Sequence, residues 1–413
     1  MADETRTRDG LSRRMALLLG GAGAASLAGC VANPFGGNDG WGSRQQVVEP
    51  PPQPGAGGPI SGDVIGSGQT RIGLVVPLSA TGNAGNVGRS MRNAAELAFG
   101  DVPNNDLAIL VRDDAGTTQG AEAAARDLVQ SGAQLILGPV FAQNVAAVAR
   151  IARPANIPMI AFSTDESVAA PGVNLLSFLP SGDVNRMVEY CAAQGRRGFV
   201  ALLPDDAYGQ IVEGALQSAL PRVGGRLVAM ERYPLDRVRL TEPVQRVIPA
   251  LAQADVLYIP DGADGAALVV QALSGARGAM QRLKLVGTGR WNDQRLFTNQ
   301  AFAGAWFPGP DSNGFRAFSG RFRQRFNVDP ERTASLAYDS TLLAAALSTR
   351  GAQAQGGRFG AQTLNNPNGF AGVDGLFRFL ANGLNQRGLA VLEMRGGQPV
   401  PIAAAPTTFT AAS

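Results

Sequence analysis

"RIGLVVPLSATGNAGNVGRSMRNAAELAFG", Arg71–Gly100, changes its period partway along. Its start, "RIGLVVPLS" (71–79), is almost continuously apolar, as expected of a strand buried on both faces. Its end, "VGRSMRNAAELAFG" (87–100), spaces apolar and small residues as one helical face does. The unit recurs downstream. "LAILVRD" (107–113) precedes "GAEAAARDLVQSG" (120–132), and "QLILGPV" (134–140) precedes "FAQNVAAVARIARPAN" (141–156) and "IPMIAFS" (157–163). Strands alternating with helical stretches of roughly 10–15 residues predict βαβ crossovers and a parallel sheet.

After a connecting segment, "VNLLSFLPS" (173–181), and the helical "DVNRMVEYCAAQG" (183–195), the pattern begins again. "FVALLPDD" (199–206), "RLVAMERYP" (226–234), "DVLYIPD" (255–261) and "LKLVGTG" (283–289) read as strands. Two βαβ halves joined near 173–182 predict two similar lobes around a cleft. Ligands in such folds sit at the carboxyl ends of the strands. Residues 373–402 read as hairpin strands with Gly/Asn turns, and 403–413 as a disordered tail.

The chain has 413 residues, 45% of them hydrophobic, enough for two lobes of ordinary domain size. Its formal charge is +3, with no basic runs, so no nucleic-acid partner is indicated. Histidine is absent, which removes Ser-His-Asp and Cys-His triads and histidine metal sites. Beyond Cys30 the only cysteine is Cys191, in a helical pattern, where it reads as a small core residue. No cofactor is expected: there is no GxxxxGK loop, and "GTGRW" (287–291) lacks the third glycine of a dinucleotide loop. "RDD" (112–114) reads as a solvated turn rather than a carboxylate pair. "RFRQRF" (321–326) reads as a half-buried helix.

The first thirty residues have the parts of an export signal: a polar stretch ending in Arg13-Arg14, the apolar "MALLLGGAGAASL" (15–27), then small residues. "LAGC" (27–30) resembles the lipobox of bacterial lipoproteins, which implies cleavage after residue 29 and lipidation of Cys30. "SRRMALL" (12–18) also resembles a twin-arginine export signal, with Ala16 where that family prefers a bulky residue. Residues 30–69 are rich in Pro, Gly and Ser and read as a tether. A flexible coil of that length spans roughly 30–40 Å. Val31, rather than aspartate, follows the cysteine, which favours the inner leaflet of the outer membrane for an anchor on the periplasmic face.

From about Arg71 to Ile402 the chain resembles a type I periplasmic binding protein of the Leu/Ile/Val-binding class. The resemblance is carried by the opening stretch, "LILGPV" (135–140), "IPMIAFST" (157–164), "PDDAYGQ" (204–210), "LAYDSTLLAAAL" (336–347) and "GFAGVDGLFRF" (369–379). It implies a non-catalytic Venus-flytrap fold, each lobe a parallel sheet flanked by helices. Lobe 1 would comprise about 70–182 plus 308–365, and lobe 2 about 183–307 plus 366–402.

In amino-acid-binding relatives, lobe 1 loops grip a carboxylate, and a tyrosine and an acid from lobe 2 face the ammonium. Carried over, the cleft would hold Ser79, Phe141, Ala142, Ser163 and Thr164 from lobe 1, and Tyr208, Asp261 and Arg290 from lobe 2. Phe141 and Ala142 stand where relatives offer serines, and Arg290 stands near the usual ammonium acid. Trp291 and Asp293 are its neighbours. The lipobox, tether and "LLPDDAYGQ" (202–210) look most like penicillin-binding-protein activator lipoproteins, implying a peptidoglycan synthase as partner. The alternative is a substrate-binding lipoprotein working with an ABC-transporter permease and a small-molecule ligand, an amino acid or a small anion.

Overall fold

The computed structural model describes residues 62–103, 105–310, 312–349 and 357–409, all within the unit Pro52–Ser413. The export signal, Cys30 and the tether up to residue 61 lie outside the described residues. No helix among the described residues is long and apolar enough to cross a membrane.

The first lobe is built on six strands: β1 (Val64–Ile65), β2 (Thr70–Val76), β3 (Leu107–Asp113), β4 (Ile136–Leu137), β5 (Met159–Ala161) and β6 (Val173–Leu175). They lie in the order β1-β3-β2-β4-β5-β6, all parallel except β1, which adds antiparallel to β3. β1 falls inside the stretch read as tether, so lobe 1 begins earlier than expected.

Alternate residues of β2 serve opposite faces. Ile72, Leu74 and Val76 join one core with helix α1 (Asn83–Asp101), while Val75 joins the other with α2 (Thr118–Gln130) and α3 (Ala142–Ala152). Gly73 faces α2 because a Cβ there would come within 2.4 Å of the Leu128 side chain.

Helix α4 (Pro180–Ala193) leads into the second lobe. There β7 (Gly198–Pro204), β8 (Arg226–Tyr233), β9 (Val256–Tyr258), β10 (Lys284–Val286) and β11 (Trp306–Gly309) run parallel. β7 divides as β2 does: Phe199, Ala201 and Leu203 face α4 and α5 (Ala207–Arg222), and Val200 and Leu202 face the opposite layer. That layer holds α6 (Thr241–Val247) and α7 (Ala263–Ala272), with the short α8 (Arg277–Met280) and α9 (Gln294–Phe297) nearby. Cys191 is fully buried among the first set, as the helical pattern predicted, and burial pushes its thiol up to about 12.

The chain then returns to lobe 1 with α10 (Ser312–Phe326) and α11 (Ala334–Thr349). Phe318 and Phe322 of α10 are buried while Arg321 and Arg325 reach Asp101 and Glu96, the half-buried helix expected of "RFRQRF". Apart from Tyr338 and Asp339, α11 is apolar or small all round, and it is buried on nearly every side.

The last part differs from expectation. After α12 (Ala361–Leu364) come β12 (Phe370–Gly372), β13 (Gly375–Phe379) and β14 (Asn385–Arg387), a separate antiparallel sheet. Phe377 and Phe379 enter the core of lobe 1, and the Leu175 amide at β6 donates to the Gly383 carbonyl (2.7 Å). Residues 370–387 therefore belong with lobe 1, because apolar surface there is left open by β6 and α11. Only β15 (Ala390–Arg395) and β16 (Gln398–Ala403) join lobe 2, antiparallel beyond β11. The tail read as disordered from 403 is placed as far as 409: Arg186 donates to the Ala404 carbonyl (3.4 Å) and Arg378 lies 4.6 Å over the Phe409 ring.

Removing the Phe377 ring tests this assignment. Phe377→Ala is expected to cost about 3–5 kcal/mol, read as a lower urea midpoint at unchanged slope.

Candidate functional site

Among the described residues the chain passes between the lobes three times, near 176–183, after 309 and near 387–390. A cavity of about 970 Å³ opens where these crossings meet. Phe178, Pro180 and Asp183 line it from the first crossing, Gly309 and Ser312 from the second, and Leu389 from the third. Thr164 and Arg332 join them from lobe 1, and Tyr208, Arg290 and Asn292 from lobe 2.

On the lobe 2 side, Asp206 caps α5 by accepting from the Gly209 amide (2.8 Å), which places Tyr208 in the first helical turn. Gly209 is required because a Cβ would lie 1.9 Å from the Pro204 carbonyl oxygen. The Tyr208 hydroxyl donates to Thr288 Oγ1 (2.9 Å), and burial holds its proton well above the ordinary tyrosine range. The Arg290 guanidinium lies 3.5 Å from the Tyr208 ring centroid and 3.9 Å from Asp261. Asp261 itself accepts from the Tyr233 hydroxyl and the Gly262 amide, both at 2.7 Å.

Asp183, in the first turn of α4, accepts from the Gly289 amide (2.8 Å). Burial pushes its carboxyl up to about 7, although the Gly289 hydrogen bond and the Arg290 charge pull the other way. Sequence reasoning missed it. The signal available was an acid three residues after the proline that opens a helix at the first crossing.

On the lobe 1 side, Arg332 forms a fork with Asp374 (2.6 and 3.1 Å) and lies over the Phe178 and Phe315 rings at 4.6 and 4.2 Å. Asp374 is fully buried and also accepts from Ser335 Oγ (2.6 Å). Arg387 stacks on Phe178 at 4.7 Å and donates Nε–H to the Ser177 carbonyl (3.0 Å). Burial pushes Asp339 up to about 7 despite the amide of Val373 at 2.7 Å. None of these groups was a sequence candidate; they come together from 177, 332–339 and 373–387.

Of the eight cleft residues expected from sequence, Thr164, Tyr208 and Arg290 line the cavity. Asp261 stands behind Arg290 rather than on the wall. Ser163 is buried, and its hydroxyl accepts from the Asp165 amide (3.1 Å), a local turn. Ser79 serves Asp113 at the end of β3: its amide donates to Asp113 Oδ1 (3.2 Å). Burial alone would raise Asp113, but hydrogen bonds from Ser79 and Ala115 outweigh it and hold the acid below its usual range. Phe141 and Ala142 start α3 away from the cavity, the Phe141 carbonyl accepting from Asn144 and Val145 (both 2.9 Å).

Trp291 is core, fully buried and edge-on to Phe302 at 5.2 Å. Asp293 caps α9 and pairs with Arg295 (2.8 Å). "RDD" does form a turn, yet Asp114 is buried rather than solvated, accepting from Gly116 (2.9 Å) and Asn144 (2.8 Å). Among the described residues no His/Cys/Asp/Glu group could hold a metal ion.

A family model described as periplasmic binding protein matches residues 69–398. A Leu/Ile/Val-binding protein homolog 6 from Brucella abortus (strain 2308) is 25% identical over 209 residues, which is 50% of this chain and 50% of that protein. The match thus spans about half the length of the curated relative. A putative branched-chain amino acid ABC transporter structure from Rhodospirillum rubrum superposes with a TM-score of 0.69 at 18% identity, covering 81% of this chain and 99% of that one. A solute binding protein of an ABC transporter from R. palustris, in complex with benzoate, gives a TM-score of 0.55 at 19% identity, covering 81% and 96%. At these identities the two structures show the fold.

The raised carboxyl of Asp183 makes a prediction about pH. A carboxyl with a folded value near 7 and an unfolded value near 4 favours folding below pH 4 and loses that contribution as pH rises through 7. Asp183→Asn keeps an acceptor for Gly289 but cannot ionise. Its stability relative to the parent is expected to rise between pH 4 and 7 and level off above, as read from urea unfolding across that range.

Proposed function

This chain belongs to the periplasmic binding protein family, and from that premise we propose that it is the non-catalytic substrate-binding component of an ABC importer. It would capture a small organic metabolite in the periplasm and deliver it to a membrane permease. The observation that carries this reading is the cavity at the three crossings, lined by side chains from both lobes. A ligand held there touches Thr164 and Arg332 on one side and Asp183, Tyr208 and Arg290 on the other. Its binding free energy thus favours the arrangement in which both walls reach it, which lets a loaded protein differ in shape from an empty one.

The cavity is within the size range of small-molecule sites and is walled by apolar residues with a few polar groups, as such sites are. The matched family, the Brucella relative and the two transporter-associated structures support an importer over the peptidoglycan-synthase regulator also expected from sequence. The benzoate complex belongs to the R. palustris protein; it supports a small organic ligand here by likeness of fold. We place the chain at the membrane through Cys30, on the strength of "LAGC".

Two outcomes are expected. Thermal unfolding of the purified protein against amino acids, organic acids and other small metabolites should show one chemical class that stabilises. A ligand at a hundredfold excess over its Kd adds about 2.7 kcal/mol. A flat panel, together with capture of a peptidoglycan synthase and a change in its polymerisation rate, would replace the importer reading with the regulator. Separately, Cys30→Ser should move the protein from the detergent phase to the aqueous phase in a detergent-partition assay of expressing cells.

A further inference from the structure

We propose that Arg290 sets the charge preference of this cavity, making it a site for small organic carboxylates that carry no ammonium group. The inference rests on the binding reading above and concerns which ligand the same site takes.

Three charged side chains line the cavity among the described residues: Asp183, Arg290 and Arg332. Arg332 is committed. Its two Nη atoms point at the fully buried Asp374, and Ser335 completes that pairing. Asp183 is committed as an acceptor to the Gly289 amide, and burial pushes its carboxyl up to about 7, so near neutral pH it carries only part of a full negative charge. Arg290 is different. Its side chain is 44% exposed, and Asp261 lies 3.9 Å away, beyond hydrogen-bond range, with its oxygens already serving Tyr233 and Gly262. The guanidinium can therefore turn its fork to a ligand carboxylate, the planar partner it matches with two parallel hydrogen bonds.

The same placement disfavours a cationic head group. Among the described residues two aromatic rings line the cavity and protein cations cover both: Arg290 lies 3.5 Å from the Tyr208 centroid, and Arg332 and Arg387 lie 4.6 and 4.7 Å from that of Phe178. The protein's own cations fill those subsites. An incoming ammonium would have to stand beside a guanidinium, with only Asp183 left to balance it. The remaining wall, Phe178, Pro180, Leu376, Leu389 and Leu392, suits an apolar aliphatic or aromatic body.

Matched ligand pairs isolate the ammonium. Calorimetric titration of the purified full-length protein at pH 7.5 would compare leucine with 4-methylpentanoate and phenylalanine with 3-phenylpropanoate. In at least one pair the desamino acid should bind ten times more tightly or better. Arg290→Gln should weaken that acid at least tenfold, and Arg290→Lys, which keeps the charge without the fork, should fall between. Equal or tighter binding of the amino acid, or an Arg290→Gln variant with unchanged affinity, overturns the inference and leaves the importer standing. If no member of either pair binds the parent or the variants, the carboxylate inference is overturned. If the broader metabolite panel is also flat, the importer reading falls as well.

Discussion

Burial of both faces of a parallel strand is the constraint on which this structure depends. β2 and β7 send alternate side chains into different cores, so each sheet needs helices above and below, and each strand must be followed by a crossover. The strands joined by crossovers, β2–β6 in one lobe and β7–β11 in the other, then point the same way and their carboxyl ends collect at one edge. Thr164 follows β5 and Tyr208 follows β7 for this reason. The wall of the cavity is a consequence of how the cores are filled.

What joins the lobes is of another kind. Near the crossings at 176–183 and 387–390 apolar packing gives way to a set of charges: Arg332 pairs with the buried Asp374, the buried Asp339 stands near them, and Arg332 and Arg387 both lie over the Phe178 ring. Such a set brings little net stability, since desolvation offsets much of the attraction, but each partner is costly to lose alone. It ties residues far apart in sequence to one geometry: β13 and β14 are held against lobe 1 while β15 goes on to lobe 2. The cavity borders this set and takes Arg332 from it, so one of its two guanidinium groups is neutralised by structure and the other faces the open space.

The candidate site was only partly legible. Tyr208 came from the match of "DDAYGQ" to the lobe 2 tyrosine of amino-acid-binding relatives; the structure shows the helix cap and the close glycine approach that hold it there. Arg290 came from the same resemblance, as the residue standing near the usual ammonium acid. Ser79 and Ser163 were expected in the cleft as well, yet the Ser79 amide and side chain serve Asp113 and the Ser163 hydroxyl closes the Asp165 turn. No spacing in the sequence distinguishes a hydroxyl that faces a cavity from one that closes its own loop. Arg332 and Asp183 were missed for the converse reason: neither stands at a strand end; the first crossing brings Asp183 to the cavity, and Arg332 reaches it from the α10–α11 connection, held by Asp374.

The sequence by itself determined the α/β class, the two lobes and most of their strands, because runs of Val, Ile and Leu between helical faces can be buried in few other ways. It also determined the burial of Cys191 and the half-buried face of α10. Only the tertiary structure decided that residues 370–387 complete lobe 1, that Trp291 is core, and that Arg290 rests on Tyr208 beside the cavity. Period and composition report what each segment buries. Which distant segment receives that surface, and which charges are neutralised there, depends on contacts between parts of the chain a hundred or more residues apart.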